Sequence, residues 1–375
     1  MLDNKYNATQ LLHVMVESSL KHIRDEKSIP EAIEKNLESC SRYLKTMVSL
    51  KDQGAARKIG VFGPRKRGKS KLLNVLLGVE ILPVDVTPMT RTVVEIKQDG
   101  NVENWEVIIS NRDGTILYPD KLTSPEQVCK KIKQVGTRQA TSELAEIIEV
   151  KSAFPDCKIL EKGGILVDTP GAEASFGEVE NEKGEISKKS KSDEALKEDT
   201  ERALDILNNV HVVIFCARAN CIGSDSEATF FKECLAHLRP LNVVTFLDNW
   251  EDEDDPLEHA VEKYGFPFDR TLCVSAKWAE EAKKEKDDNK LKKSNIKELE
   301  SRIIKEIEEF EPERGIITTL KHYVKILDKF SVENIYLLPD KIYVENFQNC
   351  LKEIDEQWAK DVLEVLYKGV ILKMQ

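Results

Sequence analysis

One eight-residue stretch limits what this chain can fold into more than any other. Gly63-Pro64-Arg65-Lys66-Arg67-Gly68-Lys69-Ser70 fits the pattern G-x-x-x-x-G-K-[ST]. A run with strand character, Ile59 to Phe62, leads into it, and an apolar run with helix character, Lys71 to Leu77, leads out. Glycine lets the backbone curl until successive N–H groups point at one spot, and the following helix N-terminus adds positive potential there. Such a turn holds phosphate. Lys69 is placed to reach the β- and γ-phosphates of a nucleotide, and Ser70 to offer its hydroxyl to Mg²⁺. Gly63, Arg65, Lys66, Arg67, Gly68, Lys69, Ser70 and Lys71 are therefore the candidates for a phosphate cradle. A strand–loop–helix unit of this kind belongs to an α/β fold.

The remaining apolar pattern agrees. Val93 to Ile96, Trp105 to Ser110, Ile147 to Val150, Ile165 to Val167, Val210 to Phe215, Val243 to Leu247 and Leu272 to Val274 read as further strands. Several are unbroken apolar runs, as expected of strands covered on both faces. Gly163-Gly164, between Ile159-Leu160 and Ile165-Leu166, reads as a hairpin turn. Residues 172–200 are rich in Lys, Glu and Ser and read as an exposed, mobile segment.

Both ends of the chain have helical period. Ile33, Leu37, Cys40, Leu44 and Met47 form a narrow seam that must pack on other helices, with Pro30 suited to the first turn. After Asn295, stripes run through Ile296, Leu299, Ile303, Ile307 and Phe310, then Leu320, Val324 and Leu327, then Phe347, Leu351, Ile354, Trp358 and Val362. Glu311-Pro312-Glu313-Arg314-Gly315 and Leu338-Pro339-Asp340 interrupt them. The organisation expected is helices over 1–55, a P-loop domain with a mainly parallel, helix-covered sheet over 56–312, and helices over 313–375. The seams of the two ends would pair into one bundle.

Composition removes several classes. Among 375 residues, 56 are Lys or Arg and 67 Asp or Glu, a net charge of −11, which argues against nucleic acid as a partner. No run approaches the roughly 20 apolar residues of a bilayer span, and the N-terminus lacks the layout of a signal peptide. Eight cysteines without a C-x-x-C pair read as reduced thiols of a cytoplasmic protein, with no cysteine metal site.

Two further motifs follow the phosphate loop. Asp168-Thr169-Pro170-Gly171 ends an apolar run, where the Asp can hold Mg²⁺ through water and the Gly171 amide can meet a γ-phosphate. Guanine presents N1–H and N2–H₂ donors side by side, so a carboxylate after a later strand can select it; adenine has no such edge. Two overlapping candidates follow Val243-Val244. Asn249-Trp250-Glu251-Asp252 is an N-x-x-D that leaves the strand running to Leu247. Thr245-Phe246-Leu247-Asp248 is a T-x-x-D that ends the strand sooner. Strand length favours Asn249 and Asp252, with Asp248 the competitor, and both lack the usual Lys at the second position. Ser275-Ala276-Lys277 then offers an amide to the base carbonyl and the Lys277 stem to the base face.

In this chain order the motifs resemble the GTPase signature set. The piece Leu76 to Thr92, with Leu82-Pro83 leading to Thr87-Pro88-Met89-Thr90, is similar to the first switch of dynamin-like GTPases, bacterial ones especially. The resemblance implies GTP and GDP as nucleotides, Mg²⁺ as cofactor, and Thr90 as the residue that binds Mg²⁺ and positions the attacking water, with Thr87 and Thr92 competing. Ser70, Thr90 and Asp168 would be the metal residues. Ala172, after the D-T-P-G, fits a family without the catalytic Gln of small GTPases. Where that family binds a monovalent cation, this chain has Lys66, so Lys66 would replace the cation, with Arg65 or Arg67 competing. The family also implies self-association through the GTPase face, and a membrane surface or a second dynamin-like subunit as partner. Two other readings compete with membrane remodelling: a soluble signalling or defence GTPase, and a nucleotide-bound scaffold with negligible turnover.

Overall fold

The computed structural model describes residues 2–25, 31–49, 57–64, 66–84, 92–102, 104–111, 116–136, 147–169, 179–180, 186–187, 206–207, 210–221, 231, 239–250, 255–308, 312–330, 338–354 and 356–374. Strands β1 (Arg57–Phe62), β2 (Val93–Gln98), β3 (Trp105–Ser110), β4 (Ile116–Leu122), β5 (Ile147–Ser152), β6 (Gly164–Asp168), β9 (Val212–Arg218), β10 (Leu241–Thr245) and β11 (Thr271–Cys273) form one sheet. Its order is β11-β10-β9-β1-β6-β2-β5-β3-β4. The pairs from β11 to β6 are parallel, as is β2 with β5, while β2–β6, β3–β5 and β3–β4 are antiparallel. Val179–Glu180 (β7) and Ile186–Ser187 (β8) form a separate short ladder. The rest of the stretch 172–200 lies outside the described residues.

Period-two alternation sorts the central strands onto two cores. Ile59 and Val61 of β1, with Val212, Ile214 and Cys216 of β9, meet α3 (Lys69–Leu77), α4 (Pro125–Gly136) and the short α5 (Lys158–Glu161). On the opposite face Phe62, Val213, Phe215 and Ala217 meet Tyr264 of α6 (Pro256–Tyr264) and Phe266. This explains the unbroken apolar runs: both sides of each strand are covered. After β11 come α7 (Ala276–Glu285), α8 (Asp288–Lys293) and α9 (Ile296–Glu308).

A third core lies in the helices of the two ends. It joins α1 (Leu2–Asp25), α2 (Glu31–Ser49), α10 (Pro312–Phe330), α11 (Lys341–Lys352) and α12 (Gln357–Leu366). The seam of α2 is buried throughout, from Ile33 to Met47. Inside the bundle Ser19 Oγ and Tyr323 Oη share a hydrogen bond of 2.6 Å, and Ser18 Oγ donates to Asp340 Oδ2 at 3.0 Å, tying α1 to the start of α11.

Several expectations change. Gly163 has φ +81 and follows the helical turn Lys158–Glu161, so Gly163-Gly164 joins a helix to β6 and is no hairpin. The strand expected over Val243 to Leu247 runs Leu241–Thr245. β4 went unforeseen because Pro119 and Asp120 break the strand pattern; it is an edge strand, where proline is tolerated. The Ile296–Ile307 stripe packs on the sheet core, inside the span 56–312 expected to hold the helix-covered sheet. Pro312 begins α10 and Gly315 lies within it, so no break occurs at residue 315. The stripe Phe347 to Val362 is divided between α11 and α12. Pro30 and Phe310 lie outside the described residues.

Candidate functional site

The loop between β1 and α3 is shaped by three residues in left-handed conformation: Gly63 (φ 138), Lys66 (φ 56) and Gly68 (φ 76). Alternating backbone hand turns successive amides towards one side, which is the arrangement that holds anions. Neither glycine can be replaced freely. A Cβ on Gly63 would stand 2.4 Å from the Cys216 carbonyl oxygen, and one on Gly68 would stand 3.1 Å from the Phe246 ring. Lys69, the first residue of α3, is buried and its Nζ donates to the carbonyls of Gly63 and Pro64, both at 2.8 Å.

Asp168 ends β6 beside β1, and Ser70 Oγ donates to its Oδ2 at 2.8 Å. The neighbouring Thr169 hydroxyl locks this strand end to Val61 O at 2.6 Å. Desolvation pushes the Asp168 carboxyl above its ordinary value, against the pull of Lys69, the Ser70 hydroxyl and the Thr169 amide. A desolvated carboxylate beside a hydroxyl is a set of hard oxygen donors that suits Mg²⁺, which takes few protein ligands and completes its shell with phosphate and water. No group of three or more His, Cys, Asp and Glu gathers among the described residues.

Lys69, Ser70 and Asp168 line a cavity of about 630 Å³, a size that accommodates a nucleotide-sized ligand. Lys66, Arg67, Thr92, Arg218, Thr245, Phe246, Asp248, Asn249, Ala276 and Lys277 also line it. β10 ends at Thr245, whose hydroxyl lies 2.8 Å from Arg67 O and 3.0 Å from Ala217 O, clipping the far strand to the phosphate loop. Asp248 follows in a single 3₁₀ turn, Leu247–Asn249. Ser275 Oγ donates to Asp248 Oδ1 at 2.6 Å and accepts from Trp278 N at 3.0 Å, so one hydroxyl orients the carboxylate and caps α7. Asn249 is exposed at the rim.

The strand-length argument for Asn249 and Asp252 therefore loses its premise. β10 keeps five residues by starting at Leu241 and ending at Thr245, which brings Asp248 to the cavity. Lys71 also lines the cavity, where its Nζ pairs with Glu80 at 2.8 Å and Glu280 at 2.6 Å, bridging α3 to α7. Arg65, Thr87, Thr90, Gly171 and Asp252 lie outside the described residues; of the three candidate threonines, Thr92 is described, buried and lining the cavity. The sequence reading missed Arg218 and the ring of Phe246. The available signal was the position of Arg218 at the carboxyl end of a parallel strand, where ligands of open α/β sheets bind.

Dynamin-like protein 2 of Campylobacter jejuni subsp. jejuni serotype O:23/36 (strain 81-176) is 26% identical over 251 residues, covering 64% of this chain and 33% of that protein. The bacterial dynamin-like protein of Nostoc punctiforme (strain ATCC 29133 / PCC 73102) is 26% identical over 243 residues, covering 62% of this chain and 30% of that protein. The chain thus spans about a third of the length of these curated relatives. A solved structure of an oligomerised bacterial dynamin pair, described as a mechanism for the long-range sensing and tethering of membranes, aligns with TM-score 0.49 and 18% identity, covering 99% of this chain and 52% of that one. The profile of the Dynamin family matches residues 59–246, half of the sequence, from the strand that feeds the phosphate loop to the residue after β10. The chain belongs to the dynamin family.

Proposed function

We propose that this protein binds GTP with Mg²⁺ and hydrolyses it. One observation carries the reading: a single cavity is lined by Lys69 and the Ser70–Asp168 pair together with the Ser275-oriented Asp248. In this reading the loop amides and Lys69 bind the phosphates, Lys69 exchanging its two carbonyl partners for phosphate oxygens. Ser70 would hold the metal with Asp168 behind it, and Thr90 would be the further ligand that positions the attacking water. Mg²⁺, when bound, neutralises charge on the β- and γ-phosphates. Asp248 accepts from guanine N1–H and N2–H₂, and Lys277 lies along the base. Lys66 is the candidate for positive charge at the β/γ bridge as the γ-phosphoryl leaves, with Arg65 and Arg67 its competitors. A strict K⁺ or Na⁺ requirement, measured against choline salts, would remove that role.

Family membership supports two broader expectations: self-association through the face that carries the cavity, and coupling of hydrolysis to a change in the α1–α2–α10–α11–α12 bundle, at a membrane surface as a peripheral protein. The described helices include none long and apolar enough to cross a membrane. Competition of ATP, GTP and XTP against a labelled GTP analogue tests the base reading. Asp248→Asn should weaken GTP at least tenfold and shift preference towards XTP, because the amide offers a donor where guanine needs an acceptor. Unchanged preference would move base recognition elsewhere.

A further inference from the structure

Arg218 is the last residue of β9, opposite Thr245 of β10 in the parallel register, and belongs to none of the motifs. It lines the cavity, and its guanidinium carbon lies 4.7 Å from the centroid of the Phe246 ring. Its Nε is buried and has no hydrogen-bond partner among the described residues. Phe246 is held in an uncommon state. It has φ 59, which is costly for an aromatic residue, and the backbone is fixed on both sides. The Thr245 hydroxyl holds the phosphate loop, and the Leu247 amide donates to Val274 O at 3.1 Å. The ring edge rests against Gly68. Strain and a buried donor at one spot, in the cavity that Lys69 and Asp248 also line, point to a ligand that both groups serve.

We propose that Phe246 and Arg218 form a stacking platform for the purine base of the bound nucleotide. The motif position that usually carries Lys carries Phe246 here, and Arg218 restores the cation from a different strand. Phe246 touches one face of the base, with the Lys277 stem on the other; Arg218 is a positioning residue that acts through the ring. The proposal rests on the nucleotide reading above and adds a base-contact surface to it.

Calorimetric titration of the full chain with GDP and with a non-hydrolysable GTP analogue tests the platform. Arg218→Ala should raise Kd about five- to thirtyfold, by the same factor for both nucleotides because the contact is at the base. Arg218→Lys should recover part of the loss and Phe246→Leu should reproduce it. The double variant should lose less than the product of the single effects, since each substitution removes the same platform. Melting temperatures accompany each titration, and Phe246→Leu carries the test if Arg218→Ala does not fold. Parent-like Kd for the Arg218 variants, a loss confined to the GTP analogue, or fully multiplicative single effects would each overturn the proposal. Lys69→Ala and Asp248→Asn keep the two readings apart. If both bind GTP like the parent, the nucleotide reading fails; if both weaken it while Arg218→Ala is silent, the platform alone fails.

Discussion

Ser275→Ala removes one hydroxyl with two separable consequences. As the cap of α7, Ser275 Oγ accepts from Trp278 N at 3.0 Å, and losing such a cap costs about 1 kcal/mol of stability. Its other bond goes to the Asp248 carboxylate at 2.6 Å. A hydrogen bond to a charged group is worth about 1.5–3 kcal/mol. Asp248 is only partly buried, so water replaces much of that and about 1 kcal/mol of orientation remains to be lost. The expected result is a lower urea midpoint with an unchanged slope, together with guanine-nucleotide affinity reduced about fivefold. ATP binding should hardly change, so discrimination narrows. Ser275→Thr should restore both properties. If stability drops while the GTP-to-ATP ratio stays at the parent value, Ser275 does not serve base selection and the assignment of Asp248 is wrong.

Asp168→Asn should raise the melting temperature of the nucleotide-free protein and abolish the stabilisation gained from GTP with Mg²⁺. The carboxyl pKa is raised by burial, so the folded state binds the proton more tightly and stability falls as pH rises from the ordinary carboxylate value through the folded one. A lower melting temperature without nucleotide would contradict this. His211 behaves oppositely. Burial, with Arg57 and Lys58 nearby, lowers it to about 4, and its Nδ1 accepts from Lys58 N at 2.7 Å. Stability should therefore be full above pH 6.5 and decline as pH falls towards 4, with His211→Asn flattening that decline in pH-dependent urea titrations.

How much was legible in the sequence followed from how local each requirement was. The phosphate loop needs glycine at Gly63 and Gly68 for reasons internal to a few residues, so its pattern survives without tertiary information. Base selection did not read as cleanly. Asn242 is a buried polar residue inside β10, and it made the strand seem to begin two residues late. The α9 stripe shows the limit of periodicity: spacing tells which side chains are buried, and only tertiary structure tells that a sheet covers them. Arg218 could not be found by motif, because its meaning comes from Phe246, brought beside it by a parallel strand pair.

Single-turnover phosphate release from GTP, in Mg²⁺, by the parent and by Lys69→Ala addresses the central claim most directly. Lys69 Nζ sits 2.8 Å from two loop carbonyls at the head of the cavity, placed to transfer to a γ-phosphate. The expected outcome is release by the parent and loss of both binding and release in the variant. A variant that holds and cleaves GTP as the parent does would place the triphosphate outside this cavity and contradict the account.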